Sequence, residues 1–296
     1  MGRAKNIFAM ISVNNLSYSY PKSNVEAVRN ITFDVHQGEI FGFLGPSGAG
    51  KSTTQKLLIK LLQGYKGEVN VLNRPLGNWS GDYFANIGVG FELPNHYLKL
   101  TGEENLKLFA SFYPTIAHKP AELLRMVELE GHAKKPVESY SKGMKMRLNF
   151  VRALMHDPQL LFLDEPTSGL DPGYARMIKD IIIDLKKRGK TIFLTTHNMH
   201  DADELCDRVA FMVDGELKLI GSPRELKLQN GQRRVRVETR VEEKLVTQEF
   251  EFSGLDQNID FLKSIGNPKL QSIHSCEESL EEVFLRTTGK SLKANG

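Results

Sequence analysis

Hydrophobic positions along the chain change their spacing from one segment to the next. ISVNNLSYSY (11–20) and ITFDVHQGEIFGFL (31–44) alternate or run apolar, with a turn at His36-Gln37-Gly38, which predicts strands between about 11 and 44. Leu57, Leu58, Leu61 and Leu62 mark one face of a helix over 51–62. Residues 103–156 read as mostly helical, through EENLKLFASFY and through AELLRMVEL, which Pro120 opens and Gly131 stops. LLFLD (160–164) and TIFLTT (191–196) are short buried strands. Between them Asp171-Pro172 starts a helix, with Asp as cap and Pro in the first turn, and Ile178, Ile181, Ile182 and Leu185 form its buried stripe. VAFMVDGELKLIG reads as a hairpin turning at Asp214-Gly215. Strands alternating with helices predict an α/β fold with a mainly parallel sheet covered on both faces. Beyond about residue 225, RRVRVETRV and VTQEFEF alternate as strands, followed by helices near 257–265 and 277–288, which predicts a small α+β extension.

Composition narrows the compartment and excludes some chemistry. The chain has 296 residues, 40% hydrophobic and 25% charged, which is ordinary for a globular protein. A formal net charge of +3 with both signs interspersed gives no case for a nucleic-acid partner. Cys206 and Cys276 stand outside any CxxC pair, so neither a disulfide framework nor a zinc site is expected. The start, MGRAKNIFAM, lacks the apolar core of a secretory signal, and Asn6 breaks the myristoylation pattern. No apolar run reaches the ~18 residues that span a bilayer, so any membrane role is borrowed from a partner.

Two motifs carry phosphate chemistry. GPSGAGKS (45–52) follows a strand, precedes a helix and fits GxxxxGK[ST]. In such a loop, Gly45, Pro46, Ser47, Gly48, Ala49 and Gly50 with Thr53 adjoining, the glycines let backbone N–H groups (Pro46 has none) close around phosphate oxygens. Lys51 reaches the β- and γ-phosphates and Ser52 ligates Mg²⁺. LLFLDEP (160–166) ends a buried strand in two carboxylates. Asp164 suits Mg²⁺, and Glu165 suits a general base that polarises the attacking water.

YSKGMKMRL (140–148) carries a resemblance. The chain resembles the nucleotide-binding domain of ATP-binding-cassette (ABC) transporters, whose signature segment is usually written LSGGQ and in one exporter-like branch YSKGMKQRL. The resemblance covers roughly 8–225. It implies a P-loop NTPase (RecA-like) core with an N-terminal antiparallel β-subdomain and an inserted helical subdomain over about 93–157, followed by the extension 226–296. It further implies ATP and Mg²⁺ as cofactors, a second nucleotide-binding subunit, a separate transmembrane permease, and a place on the cytoplasmic face of the membrane. Ser141 and Gly143 would bind the γ-phosphate of ATP held by the opposite copy. SGLD (168–171) resembles the loop that touches that copy. His197 resembles the switch histidine at the γ-phosphate, and Tyr20 the aromatic that stacks on adenine, with Tyr18 as competitor.

Two positions depart from the family pattern. Where the family has a Gln, IGVGFELPNHY has Glu92, which can still ligate Mg²⁺ through oxygen but brings negative charge near the triphosphate. Met144 and Met146 stand where many relatives have Gln, so any polar contact from those positions is lost. The YSKGMK segment and the ending SLEEVFLRTTG resemble the branch that exports drugs, antibiotics, lipids or polymers. A soluble ABC protein acting on ribosomes or DNA is the alternative, and the short stretch between Glu92 and Ser141 leaves no room for the coiled coil of the DNA type. A small-molecule kinase on the same loop would have no use for the signature. Arg233, Arg234 and Arg236 read as a solvated strand face, and Trp79 as a packing residue.

Overall fold

The computed structural model describes residues 9–230, 233–241 and 244–289. The expectations about the first eight residues lie outside it, as do those about the side chains of Arg233 and Cys276. The described residues divide into two compact units, one up to Ile220 and one from Gly221.

The first unit opens with β1 (Ala9–Ser19) and β2 (Glu26–His36), then β3 (Ile40–Leu44) and α1 (Lys51–Leu58). Two strands follow, β4 (Lys66–Val71) and β5 (Arg74–Pro75), and then β6 (Ile87–Gly90). The helical stretch is α2 (Gly102–Ala110), α3 (Pro120–Met126) and α4 (Lys142–Arg152). The unit continues with β7 (Leu160–Asp164), α5 (Pro172–Lys187), β8 (Thr191–Thr196), α6 (Met199–Leu205), β9 (Arg208–Val213) and β10 (Glu216–Gly221). Four strands form a sheet in the order β2-β1-β4-β5, antiparallel throughout. Six form a second sheet in the order β10-β9-β3-β8-β7-β6, and within it β9-β3-β8-β7-β6 are parallel neighbours.

Every residue of β3, β7 and β8 is buried, the pattern of central strands covered on both faces. Phe193 on β8 lies 4.9 Å from Phe43 and 5.7 Å from Phe162, ring centre to ring centre. Phe33 stacks on Phe41, and this aromatic cluster joins the two sheets. At the end of β9 Asp214 and Gly215 both have positive φ, 51° and 82°, the two-residue turn that matches strand twist.

Three sequence expectations need correction. The helix expected to reach residue 62 stops at Leu58, because Lys60 turns into the left-handed region (φ 61°) and leaves Leu61 exposed. The 103–156 stretch, expected to be mostly helical, holds three helices joined by irregular segments and 3₁₀ turns, and the helix that Pro120 opens ends at Met126, short of Gly131. The final helix begins at Leu280, where Ser279 and Glu282 form a reciprocal cap. Met146, expected only to forgo a polar contact, is 4% exposed, and its thioether fills core space in α4.

The second unit contains α7 (Pro223–Asn230), β11 (Arg233–Val241), β12 (Lys244–Glu251), α8 (Ile259–Ile265), β13 (Leu270–Glu277) and α9 (Leu280–Thr288). Its strands pair antiparallel in the order β12-β11-β13. Val235 and Val237 are buried on one face, where α8 packs with Phe261 against Phe250 and Ser264 donating to Gln248. Arg234 and Arg236 project from the other face and pair with Glu249.

Candidate functional site

Three adjacent parallel strands end at one place. In the sheet order β3-β8-β7, Leu44 pairs with Thr196 and Asp164 with Thr195. The residues that follow each strand therefore meet at the carboxyl edge of the sheet: the loop from Gly45, the pair Asp164-Glu165, and His197. Carboxyl edges of parallel sheets are where α/β proteins bind ligands.

The loop is built on glycines that no other residue replaces. A Cβ on Gly45 would lie 2.1 Å from the Met212 carbonyl oxygen. Gly50 has φ 109° and stands at the N-cap of α1, where a Cβ would come within 2.6 Å of Ala27 O. No side chain caps α1, so its first N–H groups are left for an anion. Lys51 is 7% exposed and its ammonium donates to Gly45 O (2.6 Å) and Pro46 O (3.0 Å). Burial pulls the Lys51 pKa below its ordinary value, against the opposing pull of Glu165, Asp164 and Glu92. All three carboxylates thus lie within electrostatic reach of one buried cation.

Asp164 Oδ1 accepts from Thr195 Oγ1 and lies 3.4 Å from Ser52 Oγ, which donates to it. Glu165 sits in the left-handed region (φ 48°), an uncommon conformation for a non-glycine residue, and is 7% exposed. Its Oε2 accepts from Thr196 Oγ1 (2.9 Å), while Oε1 accepts from His197 N (2.8 Å) and lies 2.7 Å from His197 Nδ1. With Nδ1 turned to the carboxylate and more than half of the His197 side chain exposed, Nε2 is left toward the open side of the site.

Glu92 is exposed on the loop after β6, within electrostatic reach of Lys51. Side chains that sequence reasoning missed clamp this loop to α4. Asn149 Nδ2 donates to Phe91 O (2.6 Å), Arg152 donates to Asn95 O (2.8 Å), and His96 Nε2 lies 2.9 Å from Lys145 O. Nothing in the sequence marks these donors; the burial of Asn149 shows only in the folded chain.

Burial holds the His96 pKa down to about 4, with the Lys145 carbonyl opposing and the Arg152 and Lys145 charges assisting. The unfolded chain, with histidine near ~6.5, takes up the proton first. The contribution of neutral His96 is thus complete above pH ~6.5 and is lost as the pH falls toward 4. His96→Gln keeps an amide donor for Lys145 O and cannot titrate. Between those pH values the wild type is expected to lose about 2–3 kcal/mol more stability than His96→Gln. Thermal melts across that range read this as a divergence of the two Tm curves, and parallel curves would refute it.

Tyr20 is 39% exposed and its hydroxyl is 3.1 Å from Thr53 Oγ1, beside the phosphate loop. Tyr18 is 5% exposed and meets Tyr20 edge-on, so only Tyr20 has an open ring face. Ser141 is the exposed N-cap of α4, accepting from Met144 N (3.2 Å). Gly143 faces Leu170 of the 168–171 loop, whose Asp171 accepts from Gly173 N and Tyr174 N. Ser47, Gly48 and Ala49 complete the turn, with Ala49 N donating to Pro46 O. Among the described residues no hydrogen bond joins Ser141 or Gly143 to residues 45–53 of the same chain.

Comparison with known proteins places this geometry. A sequence family described as ABC transporter matches residues 28–168. The fluoroquinolones export ATP-binding protein of Mycobacterium tuberculosis is 55% identical over 284 residues, covering 96% of this chain and 94% of its own. The Nod factor export ATP-binding protein I of Rhizobium sp. is 36% identical, covering 90% of this chain and 93% of its own. Among solved structures, an ATP-binding subunit of an ABC transporter superposes with a TM-score of 0.67 at 30% identity, over 74% of this chain and 92% of that one. A post-hydrolysis dimer of an ATP-binding cassette with ADP and phosphate gives 0.66 at 27% identity, over 72% of this chain and 98% of that one. The phosphate loop, the strand-end carboxylate pair and the histidine meet on three neighbouring strands of this cassette fold, and the chain belongs to the ATP-binding, ATP-hydrolysing subunits of ABC transporters.

Proposed function

We propose that the chain powers export of a drug-like compound through a separate permease, hydrolysing ATP at the interface of two nucleotide-binding subunits on the cytoplasmic face of the membrane. The observation that carries the shared-site reading is the separation of its halves. Lys51, Ser52, Asp164, Glu165 and His197 converge at one sheet edge, whereas Ser141 caps a different helix with its hydroxyl facing solvent. An exposed serine-led helix end of this kind suits the γ-phosphate of ATP held by another copy. Residues 8–225 form the ATPase part and 226–296 the extension in this reading.

Each residue then has a task. Tyr20 stacks on adenine, and the backbone of 45–53 with Lys51 neutralises the triphosphate. Ser52, Asp164 and Glu92 are hard oxygen donors of the kind Mg²⁺ takes, and they would hold it with nucleotide oxygens and water. Bound Mg²⁺ supplies charge neutralisation at the β- and γ-phosphates. Glu165 takes the proton of the attacking water as its oxygen bonds to the γ-phosphorus and the bond to the ADP oxygen breaks. His197, its Nδ1 held by Glu165, presents Nε2 to the γ-phosphate.

Among the described residues no helix is long and apolar enough to cross a membrane. Around the Glu92 loop, Leu93, Tyr97 and Phe112 are exposed apolar side chains, a surface suited to a permease. The interspersed charge supports no nucleic-acid partner. The identity to a fluoroquinolone exporter's subunit favours planar, amphipathic drugs as cargo. Everted membrane vesicles carrying the chain and its permease are expected to accumulate a fluorescent fluoroquinolone when ATP is added, and vesicles with Glu165→Gln are not. Equal accumulation in both would overturn the export reading.

A further inference from the structure

We propose that Asp201 is a positioning residue for hydrolysis, closing a ring of hydrogen bonds that sets the Glu165 carboxylate and the 168–171 loop. The proposal rests on the reading of Glu165 as the base. Asp201 lies on α6, four residues past His197, and is 6% exposed. Both of its oxygens are used. Oδ1 pairs with Lys179 of α5 at 3.2 Å. Oδ2 accepts from Thr167 Oγ1 (2.7 Å) and from Asn198 Nδ2 (3.1 Å).

The bonds can be followed around from the catalytic carboxylate. Glu165 Oε2 accepts from Thr196 Oγ1, which in turn accepts from Asn198 N at 3.0 Å. Asn198 Oδ1 accepts from Asp201 N (3.2 Å) while its amide donates to Asp201 Oδ2. Thr167 completes the circuit, two residues beyond Glu165 and one before Ser168.

Packing of α5 on α6 does not need this last bond. Lys179 also contacts Glu204, and Arg176 pairs with Glu204 at 2.5 Å, so the two helices are joined without Thr167. Burial works against the Lys179 charge, yet its bonds to Glu204 and Asp201 keep its pKa above the ordinary value. The Thr167 bond reaches instead from the helix pair to the loop carrying the base. That loop has a left-handed residue at its start, a conformation held only by surrounding contacts. A hydroxyl donor to a charged, buried acceptor is among the stronger hydrogen bonds.

Thr167→Val keeps shape and β-branching and deletes only the donor. Thr167 is half-buried, so the variant is a milder perturbation than any change at Asp201. Full-length chain carrying Thr167→Val is expected to show kcat for ATP about tenfold lower with KM within twofold of wild type. Thr167→Ser, which restores the hydroxyl, is expected to recover at least half of the loss. A Thr167→Val enzyme with kcat within twofold of wild type overturns the proposal. So does a loss that Thr167→Ser fails to repair, since that would be packing alone. The Glu165→Gln chain, assayed alongside, separates the two readings: normal turnover there sinks the assignment of the base, whereas normal turnover in Thr167→Val alone sinks only the ring.

Discussion

Glu165→Gln is expected to abolish steady-state ATP turnover, lowering kcat by about 10²- to 10⁴-fold, the range contributed by a positioned general base. The substitution is nearly isosteric. Its amide oxygen can still accept from His197 N, and the Thr196 hydroxyl, which now donates to Oε2, can rotate to accept from the amide nitrogen. The fold and the switch contact therefore survive while the proton acceptor is lost. Binding is expected to persist or tighten. Lys51, Ser52 and Asp164 are untouched, and one of the three carboxylates around the Lys51 ammonium becomes neutral, so the triphosphate meets less negative charge. The chain should then accumulate as an ATP-bound dimer, because the step that would separate the copies has stopped. Light scattering coupled to gel filtration reads the dimer with ATP and Mg²⁺ and its absence with ADP. Turnover within tenfold of wild type would remove Glu165 from the role of base.

That experiment addresses the part of the site most legible in the residues themselves. GPSGAGKS, LLFLDEP and TIFLTTH each join a buried strand to a chemical group, and local pattern suffices when strand, turn and functional side chain are contiguous. What escaped depends on packing between elements. β6 has only four residues, and Gly88 is there because a Cβ would lie 2.3 Å from the Ala153 carbonyl. Nothing in IGVG announces that approach. β13, LQSIHSCE, has little apolar alternation to mark it as a strand. The same reason hid the clamps on the Glu92 loop and the Thr167–Asp201 bond. They span 58 residues from Asn149 to Phe91 and 34 from Thr167 to Asp201, and their donors are unremarkable polar residues until the chain is folded. Met146 shows the converse. Comparison with a family pattern marks it only as lacking a polar group, and its burial adds that it is a core residue of α4.

The shared-site reading makes its sharpest claim on mixtures of two inactive chains. Lys51→Ala removes the cation that the loop carbonyls and three carboxylates surround, so its own cradle no longer holds the triphosphate. Ser141→Asp acts on the other half. Asp is as good an N-cap as Ser, so α4 and the bond from Met144 N are retained at little cost. It also sets a carboxylate where a γ-phosphate would have to approach, and like charges at that separation repel strongly. Each variant alone is expected to fall below about 1% of wild-type turnover, because every site in its homodimer has one failed half. In a mixed dimer the two defects fall together in one site. The other site then combines the intact cradle of the Ser141→Asp chain with the intact helix end of the Lys51→Ala chain. With equal amounts and random pairing, half of the dimers are mixed and half of their sites are whole. Recovery therefore approaches about a quarter of wild-type turnover if the sites work independently, and less if they work only in concert. A site contained within one chain predicts no recovery at any ratio. Phosphate release from the mixture that stays at the sum of the separate chains, with dimers confirmed by light scattering, would end the shared-site reading and leave Ser141 as a helix cap.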